Sequence, residues 1–171
     1  MRGTDAPGRR VAAVLSGLLA LLPHVVFGIR HAGAVPCSTT GFSPGSGITW
    51  ESDVDLARDL DQIAATGAQW LRIDVPWSVV EPQRGAFNFY DIDRMVNASR
   101  ARNLKLIGIL HLTPQWARAP GSDSDLWPPV NASEYANYVK ATVQRYSSKV
   151  KVWEIWNEPN ITVFWHPKPD P

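Results

Sequence analysis

An amide and a carboxylic acid, Asn157 and Glu158, stand side by side near the end of the sequence. The preceding residues, Val152 to Asn157, are rich in β-branched and aromatic types and predict a short strand. Pro159 cannot donate to a strand ladder, so the strand has to stop before it. A carboxylic acid at a strand end is suited to general acid–base chemistry, and the amide beside it is suited to binding a polar substrate. Glu158 is therefore the first candidate catalytic residue.

Hydrophobic periodicity predicts the elements that must position this pair. Four strands are expected, the first of them weak: about Thr40 to Ser43, Trp70 to Trp77, Lys105 to His111, and Val152 to Asn157. Three helices alternate with them: from a Ser52 cap to Gly67, from about Asp91 to Arg102, and from an Asn131 cap through Tyr146. Strands that alternate with helices of this length predict βαβ units and a parallel sheet.

Strand alternation assigns the side chains of the second strand to two faces. One face, expected to pack on the helices, carries Leu71, Ile73 and Val75, and the opposite face carries Trp70, Arg72 and Asp74. Glu154 on the last strand also points to this second, inward face. An interior ion-pair group of Arg72, Asp74 and Glu154 is therefore one expectation.

Two stretches resemble a known family: Trp153-Glu-Ile-Trp-Asn-Glu-Pro-Asn160 and Trp70-Leu-Arg-Ile-Asp-Val-Pro-Trp77. Both motifs are similar to sequences at the strand ends of glycoside hydrolase clan A. Within that clan, they are most similar to the cellulase and family 39 (β-xylosidase-like) members. The resemblance extends from about Gly41 to the C-terminus. It implies an α/β fold of the (β/α) TIM-barrel type, truncated to about the first four of the eight βα units that a barrel contains.

The resemblance also implies roles for the residues at the strand ends. Glu158 corresponds to the acid/base of a retaining mechanism, and Asn157 to a residue that hydrogen-bonds the sugar 2-hydroxyl. Arg72 corresponds to an arginine that supports the nucleophile. The alternatives stay open: a turn residue before proline for Asn157, and an interior ion pair for Arg72.

Three further residues are candidates for substrate binding by the same resemblance. His111 ends the third strand, where related enzymes often place a sugar-binding residue; a polar residue of the rim is the alternative. Trp77 and Trp116 offer aromatic faces on which a sugar can stack, and packing in the core or in a loop is the alternative for both.

The nucleophile of the clan is a second Glu on the seventh strand, and this sequence has no seventh strand. Glu154 lies four residues before Glu158 on the same strand, about 13 Å away, which exceeds the roughly 5–5.5 Å that separates the two carboxyl groups of a retaining enzyme. No motif supports Glu81 or Asp74 in the role. We therefore expect a hydrolase of β-linked saccharides that is inactive alone.

Composition narrows the range of partners. A net charge of +1 gives no electrostatic reason to expect nucleic acid. A single cysteine, Cys37, excludes an internal disulfide and CxxC-type metal sites, and we expect no metal and no cofactor. The expected partner is an oligo- or polysaccharide. Because half a barrel would expose a strand edge, self-association of two half barrels is a further expectation.

The first 34 residues predict a secretory signal peptide. Arg9 and Arg10 precede an apolar segment, Val11 to Leu22, and Ala32-Gly33-Ala34 provides small residues for cleavage. The apolar segment is shorter than the about 20 residues that span a bilayer. We expect residues 35–171 to form the partial barrel domain of a secreted protein; an uncleaved N-terminal membrane anchor is the alternative.

Two other functional hypotheses remain beside an enzyme half. One is a non-catalytic, secreted carbohydrate-binding remnant that keeps the aromatic rim residues. The other is a truncated gene product with no folded role. Saturable binding without turnover would favour the first, and the lack of a cooperative unfolding transition would favour the second.

Overall fold

The computed structural model of the protein describes residues 40–169. Four parallel strands form one sheet in the order β1-β2-β3-β4. The strands are β1 (Gly41–Phe42), β2 (Trp70–Pro76), β3 (Lys105–His111) and β4 (Val152–Ile155). The helices are α1 (Asp53–Ala65), the short α2 (Trp77–Val80), α3 (Tyr90–Ala101) and α4 (Ala132–Arg145), with 3₁₀ turns at Ser46–Trp50 and Gln115–Ala117. The predicted parallel α/β fold is confirmed.

Side chains at the helix starts explain where α1 and α4 begin. The Ser52 side chain accepts a hydrogen bond from the backbone N–H of Asp55 at 3.1 Å, and the Asn131 side chain accepts one from Ser133 at 2.9 Å. Each bond satisfies one of the amide groups that a helix N-terminus leaves unpaired. Both caps were predicted from the sequence.

The hydrophobic core lies between the sheet and the helices. Its strand members are Leu71, Ile73, Val75, Leu106 and Leu110, and its helix members include Leu56, Leu60, Ile92, Met95, Val96 and Tyr138. The predicted alternation on β2 is thus confirmed. The other strand residues lie on the opposite face of the sheet, the inward face. Successive side chains of each strand therefore point alternately to the core and to the inward face.

Gly108 on β3 lies on the helix side, where the Trp153 ring covers it. A Cβ built on Gly108 would come within 2.4 Å of that ring. The glycine therefore allows a large aromatic side chain of β4 to pack directly on the backbone of β3.

The structure departs from the sequence prediction most clearly at two strand ends and at one short helix. Pro76 ends β2, and Trp77 begins α2, which was not predicted. The strand predicted to reach Asn157 ends at Ile155, because Trp156 adopts a left-handed φ of 63° and turns the chain. Asn157 and Glu158 consequently lie in a turn beyond β4.

The predicted signal peptide falls outside the described residues. Within residues 40–169, none of the helices is long and apolar enough to cross a membrane.

Candidate active site

The candidate residues meet at the carboxyl ends of β2, β3 and β4. The parallel register places Asp74 beside Ile109, and Ile109 beside Glu154, while Pro76 lies beside His111. Because paired residues of parallel strands point to the same face, Asp74 and Glu154 share the inward face.

Arg72, the third residue of β2, reaches across the inward face to β4 and to the turn that follows it. Its Nε donates to Glu154 Oε2 at 2.8 Å, and one terminal nitrogen donates both to Glu154 Oε1 at 2.7 Å and to Asn157 Oδ1 at 2.8 Å. This two-pronged pairing matches the planar fork of a guanidinium to a carboxylate. The predicted pairing of Arg72 with Glu154 is confirmed. Asp74, predicted in the same group, lies against His111 instead, and Asn157 takes part in its place.

The ion pair fixes the charge of Glu154. Hydrogen bonding from Arg72 lowers the pKa of the Glu154 carboxyl below its ordinary value, and the pairing raises the pKa of Arg72. Glu154 is therefore a carboxylate whose two oxygens are both occupied. A carboxyl group whose pKa is lowered and whose two oxygens already accept hydrogen bonds is poorly suited to deliver a proton to a leaving group.

Asn157 is oriented by the same arginine. Because Arg72 donates to Asn157 Oδ1, the amide nitrogen Nδ2 points away from the guanidinium and keeps its two N–H groups for another acceptor. Sugar hydroxyl oxygens are acceptors of this kind. The arrangement can hold a polar ligand at the strand end.

Glu158 is exposed to solvent in the turn after β4, with a left-handed φ of 44°. Its side chain forms no hydrogen bond with another described residue, in contrast to Glu154. Trp156 beside it is buried against Tyr135 and Trp165, whereas Glu158 is exposed to solvent. Glu158 thus lies beyond the carboxyl end of β4, with a carboxyl group that forms no hydrogen bond within the described residues and that Arg72 attracts electrostatically.

His111 lies at the end of β3, as predicted, but it is almost fully buried. Its Nε2 is 3.3 Å from Asp74 Oδ1 without the geometry of a hydrogen bond. Burial lowers the pKa of His111 below its ordinary value of 6.5, and the negative charge of Asp74 opposes that shift. The imidazole is therefore neutral near pH 7 and sits just beneath the rim.

Trp77 contradicts the prediction of a sugar-stacking surface. The side chain is 0% exposed, its indole N–H donates to Glu81 Oε2 at 2.7 Å, and its ring stacks on Tyr138 at 5.5 Å. No face of the ring is open to a ligand. Its side chain enters the core because α2 starts at Trp77 and turns it under α4.

Trp116 is half-buried, and three neighbouring residues contact its side chain. Its edge meets Trp77 at 5.4 Å, its indole N–H donates to the Glu81 carbonyl at 2.9 Å, and the Arg84 guanidinium lies 4.9 Å from the ring centroid. A sugar would have to displace Arg84 to stack here. The loop-packing alternative describes Trp116 better.

Glu81 has a structural role that the sequence pattern did not indicate. It is buried, and besides Trp77 it accepts a hydrogen bond from the backbone N–H of Gly85 at 2.7 Å. The spacing of four residues between Trp77 and Glu81 at a helix turn was the available signal. Both carboxyl oxygens of Glu81 already accept hydrogen bonds, so this side chain is not available to a ligand at the carboxyl ends of the strands.

Two further polar residues lie near the rim. Ser78 donates to Asp125 at 3.1 Å, and Asp125 contributes to the electrostatic environment of His111. Within residues 40–169, no group of three or more His, Cys, Asp or Glu side chains is arranged to hold a metal ion.

A sequence model described as glycosyl hydrolase family 10 matches residues 72–162, a segment that contains Arg72, His111, Asn157 and Glu158.

Solved structures of glycosidases share the fold. A family 39 glycoside hydrolase from the gut symbiont Bacteroides cellulosilyticus is 25% identical, with a TM-score of 0.58 over 70% of this chain and 24% of that one. A β-glucosidase from Exiguobacterium marinum is 20% identical, with a TM-score of 0.53 over 65% and 26%. A β-galactosidase from the Antarctic haloarchaeon Halorubrum lacusprofundi is 17% identical, with a TM-score of 0.50 over 68% and 20%.

The chain spans about a quarter of the length of these structures. The matches confirm the (β/α) TIM-barrel type of the fold, with four parallel strands and the helices that alternate with them, and the resemblance to clan A.

Proposed function

This chain belongs to glycosyl hydrolase family 10, and we propose that it supplies the proton-donor side of a site that hydrolyses β-linked saccharides with retention. Glu158 is the acid/base in this proposal, and Asn157 binds the sugar hydroxyl next to the scissile bond. The single observation that carries the proposal is the hydrogen bond from Arg72 to Asn157 Oδ1, which presents the free amide nitrogen beside Glu158.

Glu158 is preferred over the other inward-facing carboxyl groups because it is exposed and forms no hydrogen bond with another described residue. Arg72 occupies Glu154, Trp77 and Gly85 occupy Glu81, and Asp74 faces the buried His111. A proton donor has to reach the glycosidic oxygen, so an exposed carboxyl group at the rim suits the role.

The chemistry divides into two steps. In the first, a nucleophile attacks the anomeric carbon, the glycosidic C–O bond breaks, and Glu158 gives its proton to the departing oxygen. In the second, water replaces the nucleophile and Glu158 takes the proton back from that water. A retaining site needs a second carboxylate roughly 5–5.5 Å from the first.

The described residues offer no free carboxylate beside Glu158 for that second role. We therefore propose that the 171-residue chain does not turn over substrate by itself. A small external anion, such as azide or formate, can take the place of the absent carboxylate, because it attacks the same carbon while Glu158 still protonates the leaving oxygen.

The test follows release of the alcohol from β-glycosides with poor leaving groups. We expect no release above the buffer rate with the chain alone, and release in azide or formate that Glu158→Gln abolishes. Glu134→Gln, on α4, is the matched control and should keep the rescued activity.

Two results would count against the proposal. Turnover that Glu158→Gln leaves unchanged would remove Glu158 from the role of donor. Saturable saccharide binding without any rescue would favour the non-catalytic carbohydrate-binding alternative.

We also propose that residues 1–34 direct secretion and are removed. Edman sequencing of protein exported by a secretion host is expected to begin at Val35. Retention of the full chain in the membrane fraction would instead support the anchor.

A further inference from the structure

The turn that carries Asn157 and Glu158 has an unusual backbone. Trp156 has a φ of 63° and Glu158 a φ of 44°, and both values lie in the left-handed region. That region is unfavourable for residues other than glycine, and a bulky residue stays there only where its neighbours hold it. The contacts around Trp156 should therefore explain how the turn keeps its shape.

Hydrogen bonds and ring packing fix Trp156, which is only 4% exposed. Its backbone N–H donates to the carbonyl of Leu110 at 2.9 Å, so the turn begins where the ladder between β3 and β4 ends. Its indole N–H donates to the Phe164 carbonyl at 2.6 Å, and its ring meets the Trp165 ring edge-on at 4.9 Å. The Trp156 side chain is thus anchored to the segment that follows the turn.

Tyr135 on α4 supports the same residue through its hydroxyl and through its ring. The hydroxyl donates to the Leu110 carbonyl at 2.6 Å; Trp156 uses the same acceptor, and a carbonyl oxygen has lone pairs for two donors. The ring of Tyr135 lies 6.4 Å from the ring of Trp156. Burial raises the pKa of the Tyr135 hydroxyl, so this group stays protonated and remains a donor. Tyr135 therefore fixes both the carbonyl to which Trp156 is bonded and the place of the Trp156 ring.

The conformation of Trp156 decides where the neighbouring side chains point. Strict alternation beyond Glu154 would place the Trp156 side chain on the inward face and that of Asn157 on the helix side. In the structure Trp156 packs against Tyr135 of α4 instead, and Asn157 accepts a hydrogen bond from Arg72 on the inward face. The left-handed residue thus exchanges the two side chains and brings Asn157 to the candidate site.

We propose that Tyr135 is a positioning residue of this site: it holds Trp156 in the left-handed conformation that brings Asn157 to Arg72. The same turn leaves Glu158 exposed next to Asn157. The inference rests on the proposed function for the part that Asn157 and Glu158 play in a reaction. Tyr135 acts through Trp156 rather than on a ligand.

NMR spectra of the free protein test the conformation of the turn directly. A left-handed backbone brings the amide and α protons of a residue close together, so Trp156 should give a strong intraresidue nuclear Overhauser effect between them. Tyr135→Phe removes the hydroxyl alone, and Tyr135→Leu also removes the aromatic ring. We expect the Trp156 effect to weaken in Tyr135→Phe and to weaken further in Tyr135→Leu, with shifts of the Asn157 Nδ2–H signals in both variants.

Tyr138→Phe is the matched control. Tyr138 lies on the same helix, is fully buried, and donates its hydroxyl to the Val75 carbonyl of β2. The control therefore also loses one tyrosine hydroxyl that is bonded to a strand carbonyl. It should lose stability in urea denaturation, as Tyr135→Phe does, but it should leave the Trp156 and Asn157 signals in place. Circular dichroism of each variant checks that the fold is kept.

The release of alcohol in azide tests the consequence for the chemistry. We expect Tyr135→Phe to lower the rescued rate at saturating saccharide about tenfold, because a small misplacement of reacting groups is costly. Tyr138→Phe should keep the wild-type rate. If the wild-type chain shows no rescued release, the proposed function fails, and the NMR signals alone decide whether Tyr135 holds the turn.

Three results would overturn the inference. One is a Trp156 effect that stays unchanged in both Tyr135 variants. A second is an equal loss of this effect in Tyr138→Phe, which would mean general damage rather than positioning. The third is a rescued rate that stays at the wild-type level although Tyr135→Phe has lost the left-handed signature of Trp156.

Discussion

The two faces of the sheet differ although the same strands build both. On the helix side, Leu71, Ile73 and Val75 of β2 are buried among apolar neighbours. On the inward side, Arg72 and Asp74 of the same strand are charged and only partly buried, and they contact Glu154 and His111 from other strands. Alternate residues of one strand thus serve the core and the rim.

This difference indicates that the residues that determine folding stability lie on one face of the sheet and the candidate functional residues lie on the other. Burial of apolar surface supplies most of the favourable free energy of folding, so the helix side should determine whether the chain folds. Partly exposed ion pairs contribute little to the free energy of folding. The charged residues of the inward side are therefore only weakly constrained by stability and can be arranged to bind a ligand. Substitutions on the two faces should therefore have different consequences.

The largest effect is expected on the helix side at Trp77. Trp77→Ala removes a fully buried ring that packs on Tyr138, and we expect a loss of about 3–5 kcal/mol in the free energy of unfolding. Urea denaturation measures this loss. Trp50→Ala is the control, because Trp50 is 46% exposed, and it should cost far less. Equal losses for the two variants would contradict the assignment of Trp77 to the core.

A smaller loss is expected at Gly108. Gly108→Ala places a Cβ against the Trp153 ring, and overpacking of this kind costs about 1–3 kcal/mol. Gly47→Ala is the control, since a Cβ there meets open space. Urea denaturation of both variants should show a clear loss at Gly108 alone. An unchanged Gly108→Ala variant would mean that Trp153 does not pack on β3.

Most of the helix side could be predicted from the sequence. Apolar periodicity and the Ser52 and Asn131 caps located the three long helices and β3, because these signals are local. The short α2 was missed, since four residues are too few to show a helical period. The end of β4 was predicted two residues too late. Trp156 has a high β-propensity, but its backbone adopts a left-handed φ that ends the strand and that propensity does not reveal.

The inward side was predicted in part. Strand parity brought Arg72 and Glu154 together correctly, because the alternation of a strand is a strict rule. The burial of Trp77 depends on how α4 crosses the sheet, which is a tertiary property. The link from Arg72 to Asn157 depends on the turn after β4 and was likewise beyond the sequence pattern.

The smallest effect is expected from the titration of His111. Burial holds its pKa below the ordinary 6.5, so the folded chain keeps the imidazole neutral while the unfolded chain binds a proton as the pH falls through 6.5. The free energy of unfolding should therefore fall as the pH drops from 7.5 through 6.5 toward the lowered pKa. His111→Gln should reduce this fall in urea denaturation across the same range. An identical pH profile in the two proteins would contradict a buried, neutral His111.

The lowered pKa of the Glu154 carboxyl affects the free energy of unfolding in a lower pH range than that of His111. Its contribution to stability is complete above its ordinary value of 4.5 and is lost as the pH falls below that value. Measurements above pH 5.5 therefore separate the effect of His111 from that of the Arg72 ion pair.

The most direct measurement of the central claim is an NMR titration that follows the Asn157 side-chain amide as β-linked gluco- and xylo-oligosaccharides are added. We predict saturable shifts of the two Asn157 Nδ2–H signals, and their loss in Arg72→Met, which should cost no more than about 1 kcal/mol of stability because the ion pair is partly exposed. Saturable shifts elsewhere with an unmoved Asn157 amide, or unchanged shifts in Arg72→Met, would contradict the claim that Arg72 presents Asn157 to a saccharide beside Glu158.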